Sequence, residues 1–147
     1  MTVRRAQVSD LQDIAALERT CFSDPWSESS FRNVLEDENS VLLVLTEEDI
    51  FRGFCVLLLL GPEAEILNIA VAPEARNRGC GGALLDRALE DAAQNGAEDV
   101  FLEVRASNAP AISLYTRRGF VPCGRRKNYY TRPTEDAILM KRGLTLC

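Results

Sequence analysis

A glycine-rich loop between a strand and a helix is the first segment whose residues could do chemistry. Residues 67–85 read Leu-Asn-Ile-Ala-Val-Ala-Pro-Glu-Ala-Arg-Asn-Arg-Gly-Cys-Gly-Gly-Ala-Leu-Leu. The glycines let the backbone approach a ligand closely, and the free N–H groups of the first helical turn form an anion site with the helix dipole. The spacing fits neither G-x-G-x-x-G nor G-x-x-x-x-G-K-[ST]. The loop, with Arg76 and Arg78 adding charge, therefore predicts a pyrophosphate site of another kind; the alternative is a turn that binds nothing.

A glutamate in the middle of an apolar strand is the second candidate. Alternation along residues 99–104 places Glu103 on the face opposite Val100, Leu102 and Val104. A short helix follows and carries Tyr115. Ordinary structural roles are the alternatives, namely a Glu103 that is exposed or paired with Arg105 or another arginine, and a Tyr115 that only packs.

The composition excludes several reaction classes. The chain has 147 residues and no His, which excludes a Ser–His–Asp triad, a Cys–His pair and a His-ligated zinc site. Any proton transfer must use Glu, Asp, Tyr, Lys, Cys or water. The formal net charge of −5 disfavours nonspecific binding to nucleic acid.

The apolar segments and cysteines predict the compartment. The longest apolar run, residues 54–60, is too short to span a bilayer, and the N-terminus lacks the apolar stretch of a signal peptide. The five cysteines are scattered at positions 21, 55, 80, 123 and 147, which is typical of reduced thiols. We expect a cytoplasmic protein with no membrane or nucleic-acid partner, and nothing in the sequence indicates an oligomer.

The elements that position these residues alternate between two periodicities. Ser9 and Gln12 predict a capping box before the first helix, Ser27 caps the second, and Trp26 is expected to pack on Phe31. The predicted strands are 1–7, 41–46, 51–60, 64–71, 99–104, 120–130 and 137–142, and the later helices are 79–94 and 109–118. The sequence predicts one domain over residues 1–147, of the α/β (α+β) class, with helices on both faces of a mixed sheet.

Two segments together resemble a known superfamily. The glycine loop and the string from Asn108 to Phe120, N-x-x-A-x-x-L-Y-x-x-x-G-F, resemble the acetyl-CoA loop and the closing motif of the GNAT N-acetyltransferases. Further strings, in the right order, resemble the bacterial RimI family, which acetylates the N-terminal alanine of a ribosomal small-subunit protein; they cover residues 22–27, 68–71, 102–108, 128–130 and 135–140. The resemblance implies a mostly antiparallel sheet of about seven strands flanked by about four helices.

The resemblance also implies roles for individual residues. Glu103 would accept a proton, Tyr115 would donate one near the sulfur of CoA, and no metal would be needed. Acetyl-CoA would be the co-substrate, with its pantetheine arm on the backbone of Ile69, Ala70 and Val71 and with Asn108 also in contact. The residues that would hold the pyrophosphate are Asn77, Arg78, Gly79, Cys80, Gly81 and Gly82.

The acceptor side leaves more alternatives open. Trp26, Tyr129 and Tyr130 could line the channel for a peptide N-terminus or could simply pack. The acidic residues 36–38 could meet a basic peptide or form a solvated helix end. Cys80 could carry an acyl group, although no His is present to activate it. The main hypothesis is transfer to a protein α-amine; the alternatives are a small-amine acetyltransferase of the polyamine or aminoglycoside type and a non-catalytic acyl-CoA-binding module.

Overall fold

The computed structural model describes residues 1–144, and Cys147 with the rest of the tail, residues 145–147, lies outside them. The predicted order of elements is confirmed. The strands are β1 (Thr2–Arg5), β2 (Ser40–Glu47), β3 (Ile50–Leu60), β4 (Glu63–Val71), β5 (Asp99–Arg105), β6 (Val121–Tyr130) and β7 (Glu135–Gly143). The helices are α1 (Leu11–Cys21), α2 (Glu28–Glu36), α3 (Cys80–Gln94) and α4 (Ala109–Arg117), with 3-10 turns at Val8–Asp10 and Pro73–Ala75.

The seven strands form one sheet in the order β1-β2-β3-β4-β5-β7-β6. Strands β4 and β5 pair in parallel, and the other neighbouring strands pair antiparallel. The parallel pairing begins at Glu63 opposite Asp99 and stops at Ile66 opposite Leu102. Beyond that point β4 stays paired with β3, and β5 stays paired with β7. The two central strands therefore separate at their carboxyl ends.

An irregularity in β4 accompanies this separation. The register between β3 and β4 shifts so that Val56 pairs with Asn68 while Leu57 pairs with Ile66, which leaves Leu67 without a partner. An extra residue of this kind bends a strand and increases its twist. The bulge therefore lies where β4 turns away from β5.

Helices cover both faces of the sheet, as the sequence predicts. Phe31 of α2 packs edge-on against Phe54 of β3, with ring centroids 5.3 Å apart. A β-carbon placed on the adjacent residue, Gly53, would lie 3.2 Å from Leu84 of α3. Because successive residues of a strand point to opposite faces, α2 and α3 lie on opposite sides of β3.

The start of α2 is confirmed and the predicted capping box before α1 is wrong. The Ser27 hydroxyl accepts a hydrogen bond from the Ser30 N–H at 3.2 Å, and Trp26 packs on Phe31 at 5.5 Å. Before α1, the carboxylate of Asp10 accepts the Gln7 N–H at 2.7 Å and two bonds from Arg4 at 2.8 and 3.0 Å. An ionised carboxylate paired with a guanidinium binds more strongly than the neutral Ser9 hydroxyl could, so the helix entry is organised around Asp10.

Candidate active site

The gap between β4 and β5 brings the two chemically interesting segments together. Residues 69–71 of β4 form one wall, and Glu103 and Arg105 of β5 form the other. On the inner side of β4 these residues have lost the partner strand, so backbone groups there are available to a ligand. The loop after β4 leads directly into the N-terminus of α3. The glycine loop therefore begins where this wall of the gap ends.

The loop before α3 has the backbone shape that an anion site needs. Asn77 has a φ of 63° and Gly79, the residue before the helix, has a φ of 83°. No side chain caps this helix end, so the first N–H groups, those of Cys80, Gly81 and Gly82, are left for a ligand. Together with the positive end of the helix dipole, these groups suit a pyrophosphate.

The charges around this loop differ from those expected from the sequence. Arg78 pairs with Glu47 at 3.0 Å, and the Arg76 Nε donates to the Val71 carbonyl at 3.2 Å. A third arginine, Arg118, was not predicted from the sequence. Its guanidinium fills the space where a β-carbon on Gly82 would stand and pairs with Asp86 at 3.1 Å. Arg118 lies beside α3 because of the way α4 packs, and no local sequence pattern predicts that packing.

Glu103 has one carboxylate oxygen that is free to act. Its Oε1 lies 3.6 Å from the guanidinium of Arg126, while Oε2 is buried and has no hydrogen-bond partner among residues 1–144. Of the two pairings considered from the sequence, the pairing with Arg105 is wrong. Arg105 instead binds Glu135 at 3.3 Å and the Thr131 carbonyl at 2.8 Å.

A groove of about 180 Å³ opens beside Glu103 and Arg126. Its lining includes Glu65, a residue that the sequence analysis did not single out. Burial first and the neighbouring Glu103 second raise the pKa of Glu65, while Arg126 lowers it. Glu65 pairs with Phe101, two residues before Glu103 on the same face of β5. Predicting Glu65 as a neighbour of Glu103 would have required the parallel register between β4 and β5.

Three tyrosines lie in different surroundings around the gap, and two of them are neighbours of Glu103. Tyr115 is buried and packs edge-on against Phe120 at 5.9 Å, and burial raises its pKa so that the phenol stays protonated. Burial and then the Glu103 carboxylate raise the pKa of Tyr130 to about 12. Tyr129 packs edge-on against Tyr130 at 5.1 Å, and its pKa is raised chiefly by Glu103. The fold thus brings Tyr129 and Tyr130 beside the carboxylate, and Tyr130 in turn contributes to the raised pKa of Tyr115.

The turn that contains Trp26 reaches the same region, although the Trp26 ring itself packs on Phe31. Ser23 in this turn donates to the Thr131 carbonyl at 3.1 Å, and Asp24 pairs with Arg132 at 3.1 Å. These contacts join the α1–α2 turn to the β6–β7 turn directly after Tyr130. The two turns therefore lie against each other beside Tyr130.

The remaining candidates have defined environments. The Oδ1 of Asn108 accepts the Ala111 N–H at 3.3 Å and caps α4, so its amide nitrogen is the group left to contact a cofactor. Cys80 is buried, and burial raises the pKa of its thiol, which disfavours a thiolate that could carry an acyl group. The four cysteines in the described part of the chain are free thiols.

Residues 1–144 contain no group of three or more Cys, Asp or Glu side chains placed to hold a metal ion. None of their helices has the length and apolar character needed to cross a membrane.

Comparisons with known proteins agree with this fold. The model of the acetyltransferase (GNAT) family matches residues 11–120. The [ribosomal protein bS18]-alanine N-acetyltransferase of Escherichia coli strain K12 is 36% identical over 141 residues, which are 95% of this chain and 95% of that protein. The crystal structure of the ribosomal-protein-S18-alanine N-acetyltransferase from Escherichia coli has a TM-score of 0.90 at 34% identity, covering 99% of this chain and 95% of that one.

A more distant structure shares the fold. Arabidopsis thaliana NAA60, solved in complex with acetyl-CoA, has a TM-score of 0.89 at 22% identity, covering 97% of this chain and 98% of that one. The uncapped N-terminus of α3 and the open inner side of β4 provide backbone donors that fit the pyrophosphate and the amide-containing arm of acetyl-CoA, the acetyl donor of GNAT enzymes. With a mostly antiparallel sheet that parts between β4 and β5, and with the family match over residues 11–120, the chain belongs to the GNAT family of acetyltransferases.

Proposed function

We propose that the protein transfers the acetyl group of acetyl-CoA to the N-terminal α-amine of a protein, and that this substrate is the N-terminal alanine of ribosomal protein bS18. The observation that carries the proposal is the free, buried Oε2 of Glu103 beside the gap between β4 and β5. The similarity to an Escherichia coli enzyme named for this activity, over 95% of the chain, supports the choice of substrate.

Glu103 acts as the general base. A protein α-amine has a pKa of about 7.7–8.0, so most of it carries a proton at neutral pH and cannot attack. Oε2 of Glu103 is the acceptor for that proton, directly or through a water, because Arg126 lies against the other oxygen. The ammonium form loses two protons in all. Glu103 accepts the first, which frees the amine to attack, and passes it to solvent; the second is released as the amide bond forms and the C–S bond breaks, and it ends on the thiol of CoA.

Residues on the other wall of the gap stabilise the reacting thioester. When bound, acetyl-CoA supplies the acyl group as an activated thioester. A backbone N–H within residues 69–71 donates to the carbonyl oxygen as charge develops on it. The Tyr115 hydroxyl donates to the departing sulfur. Because burial raises the pKa of Tyr115 well above the value of about 8.5 for a thiol, Tyr115 stabilises the sulfur by a hydrogen bond and only transiently gives up its proton.

The glycine loop and α4 hold the cofactor. The N–H groups of Cys80, Gly81 and Gly82 bind the pyrophosphate, and Asn77, Arg78 and Gly79 shape the loop that presents them. The Asn108 amide nitrogen adds one contact from the start of α4.

Tyr129, Tyr130 and the turn with Trp26 border the path of the acceptor peptide. Tyr129 is half exposed, so an incoming peptide can reach it, whereas Tyr130 is largely covered. We assign the pair to the acceptor side and Trp26 to the support of the turn, since its ring packs on Phe31.

Two peptides test the proposal. One carries a free N-terminal alanine followed by basic residues, and the other is the same peptide with a blocked N-terminus and a free lysine. Thiol release from acetyl-CoA, with mass spectrometry of the products, should occur with the first peptide alone. Turnover with the second would assign a side-chain amine, and turnover with polyamines or aminoglycosides alone would assign a small-amine enzyme. CoA binding without turnover on any amine would leave a binding module.

We further propose that the protein works as a monomer in the cytoplasm, without a nucleic-acid partner. Its four described thiols are unpaired, which suits a reducing compartment, and the net charge is −5. Light scattering at micromolar concentration should give the mass of one chain, and a mass of two chains would overturn the monomer.

A further inference from the structure

A buried carboxylate that the proposed reaction does not use lies behind the active site. Glu18, on α1, is 1% exposed, and no Arg or Lys among residues 1–144 forms a salt bridge with it. Burying a charge is costly unless hydrogen bonds replace the water that is lost. A carboxylate at such a position therefore has to be explained by the bonds that hold it there.

Three hydrogen bonds from two other segments satisfy Glu18. The Trp26 N–H, in the α1–α2 turn, donates to Oε2 at 3.0 Å. The Asn68 side-chain amide, on β4, donates to Oε1 at 3.0 Å and to Oε2 at 3.1 Å. Burial raises the pKa of Glu18, and the bonds from Trp26 and Asn68 oppose that rise.

The Asn68 bond lies at a critical place in β4. Asn68 follows the unpaired Leu67 and precedes residues 69–71, at the point where β4 has left β5. Asn68 is 8% exposed, and its own Oδ1 is buried without a hydrogen-bond partner among the described residues. The hydrogen bonds to Glu18 thus orient the Asn68 amide, and the Asn68 amide in turn holds this part of β4 in place.

The Trp26 bond lies on the other side of the gap. The turn that contains Trp26 also contains Ser23 and Asp24, which bind Thr131 and Arg132 of the β6–β7 turn. The position of Glu18 therefore affects both turns that border the acceptor side. The Glu18 carboxylate therefore connects the cofactor-binding part of β4 to the turn that contains Trp26.

We propose that Glu18 is a positioning residue for acetyl transfer, which acts through Asn68 on the cofactor-binding part of β4 and through Trp26 on the acceptor turn. This inference rests on the proposed function for its acceptor arm, whereas its cofactor arm depends only on CoA binding. A role in stability alone would predict a lower melting temperature with unchanged binding constants in the molecules that remain folded.

The test compares Glu18→Gln with Asn68→Ala and with a matched control. Asp13→Asn removes one carboxylate from an exposed position on the same helix and should leave every constant unchanged. Glu18→Gln should weaken CoA binding and raise the KM for the alanine peptide, each by about tenfold, because a neutral amide with one accepting oxygen replaces the charged carboxylate that serves both donors. Asn68→Ala removes the β4 arm alone, so it should weaken CoA binding while the peptide KM changes less than threefold.

A double variant that exchanges the carboxylate and the amide, here called the charge swap, separates a positioning role of Glu18 from a general loss of structure. In the double variant Glu18→Gln/Asn68→Asp, the amide nitrogen introduced at position 18 can donate to the carboxylate introduced at position 68. The amide oxygen at position 18 can still accept the Trp26 N–H. CoA affinity in this variant should return to within about threefold of the wild-type value. If Glu18→Gln does not fold, the double variant and Asn68→Ala still test the cofactor arm through their CoA affinity.

CoA affinity is measured by calorimetric titration without any peptide. A wild-type protein that binds CoA but acetylates no peptide would therefore overturn the proposed function, while the inference that Glu18 acts through Asn68 on CoA binding would still stand. Unchanged CoA affinity in folded Glu18→Gln and in Asn68→Ala would overturn the inference. So would a loss in Glu18→Gln that the charge swap does not reverse.

Discussion

Replacing Glu103 by glutamine tests the proposed general base most directly. The side chain keeps its size and can still contact Arg126, which lies 3.6 Å from Oε1. What changes is Oε2, the buried oxygen without a hydrogen-bond partner, which becomes unable to accept a proton in either amide orientation. The variant therefore separates proton transfer from the shape of the groove.

The size of the loss follows from the ionisation of the substrate. A positioned general base contributes about 10²–10⁴ in rate. With an α-amine pKa of about 7.7–8.0, roughly a tenth of the amine is already neutral at pH 7 and can attack without help. We therefore expect the smaller effect, a loss of about 10²-fold in kcat/KM at pH 7. Towards pH 9 the amine becomes mostly neutral, so the deficit should shrink by up to about tenfold.

Initial rates of thiol release with the alanine peptide, measured from pH 6.5 to 9, provide the assay. Glu63→Gln is the matched control, because Glu63 lies on the exposed edge of the same groove and has no part in the proposed reaction. Retention of more than a third of the wild-type kcat/KM by Glu103→Gln at pH 7 would refute the assignment. A deficit that stays constant up to pH 9 would refute the argument from amine ionisation.

Three further variants test other parts of the structure. Tyr115→Phe keeps the buried ring but removes the hydroxyl, so kcat should fall about 10²-fold while calorimetry shows unchanged CoA affinity; a fall in affinity alone would contradict the role. Asp10→Asn should lower the free energy of unfolding at pH 7 by about 1–3 kcal/mol, towards the low end because Arg4 is 39% exposed. The hydrogen bond from Arg4 lowers the pKa of Asp10 below 3.8, so this stabilisation is present above pH 3.8 and disappears as the pH falls through the lower, folded value. Urea titrations should therefore show the two proteins converging in acid, and a constant difference would contradict the linkage. Gly82→Ala places a β-carbon where the Arg118 guanidinium lies and so displaces this charge from the loop; CoA affinity should fall about three- to tenfold. The melting temperature should change little, because the end of a flexible side chain can move. Unchanged affinity would show that Arg118 does not contribute to CoA binding.

Local patterns were sufficient for most of the elements. The Trp26–Phe31 contact and the Ser27 cap both depend on residues within a few positions of one another. The error at Ser9 came from a contact outside that range, because Arg4 on β1 draws Asp10 into a charge-assisted pair. A capping box read from spacing cannot include a competing partner on another element.

Local sequence patterns predicted the order of the elements, the glycine loop before α3 and the candidate pair Glu103 and Tyr115, because periodicity, caps and motifs depend on residues close together in the chain. The folded structure was needed to locate the point where β4 parts from β5, to identify the oxygen of Glu103 that has no hydrogen-bond partner, and to show that Glu18 reaches Asn68 across 50 positions of chain. Strand register and side-chain partners depend on contacts between distant segments, and several pairings of similar residue types would satisfy the local pattern equally well. Packing of the whole chain selects among them, and that selection places the carboxylate beside the gap.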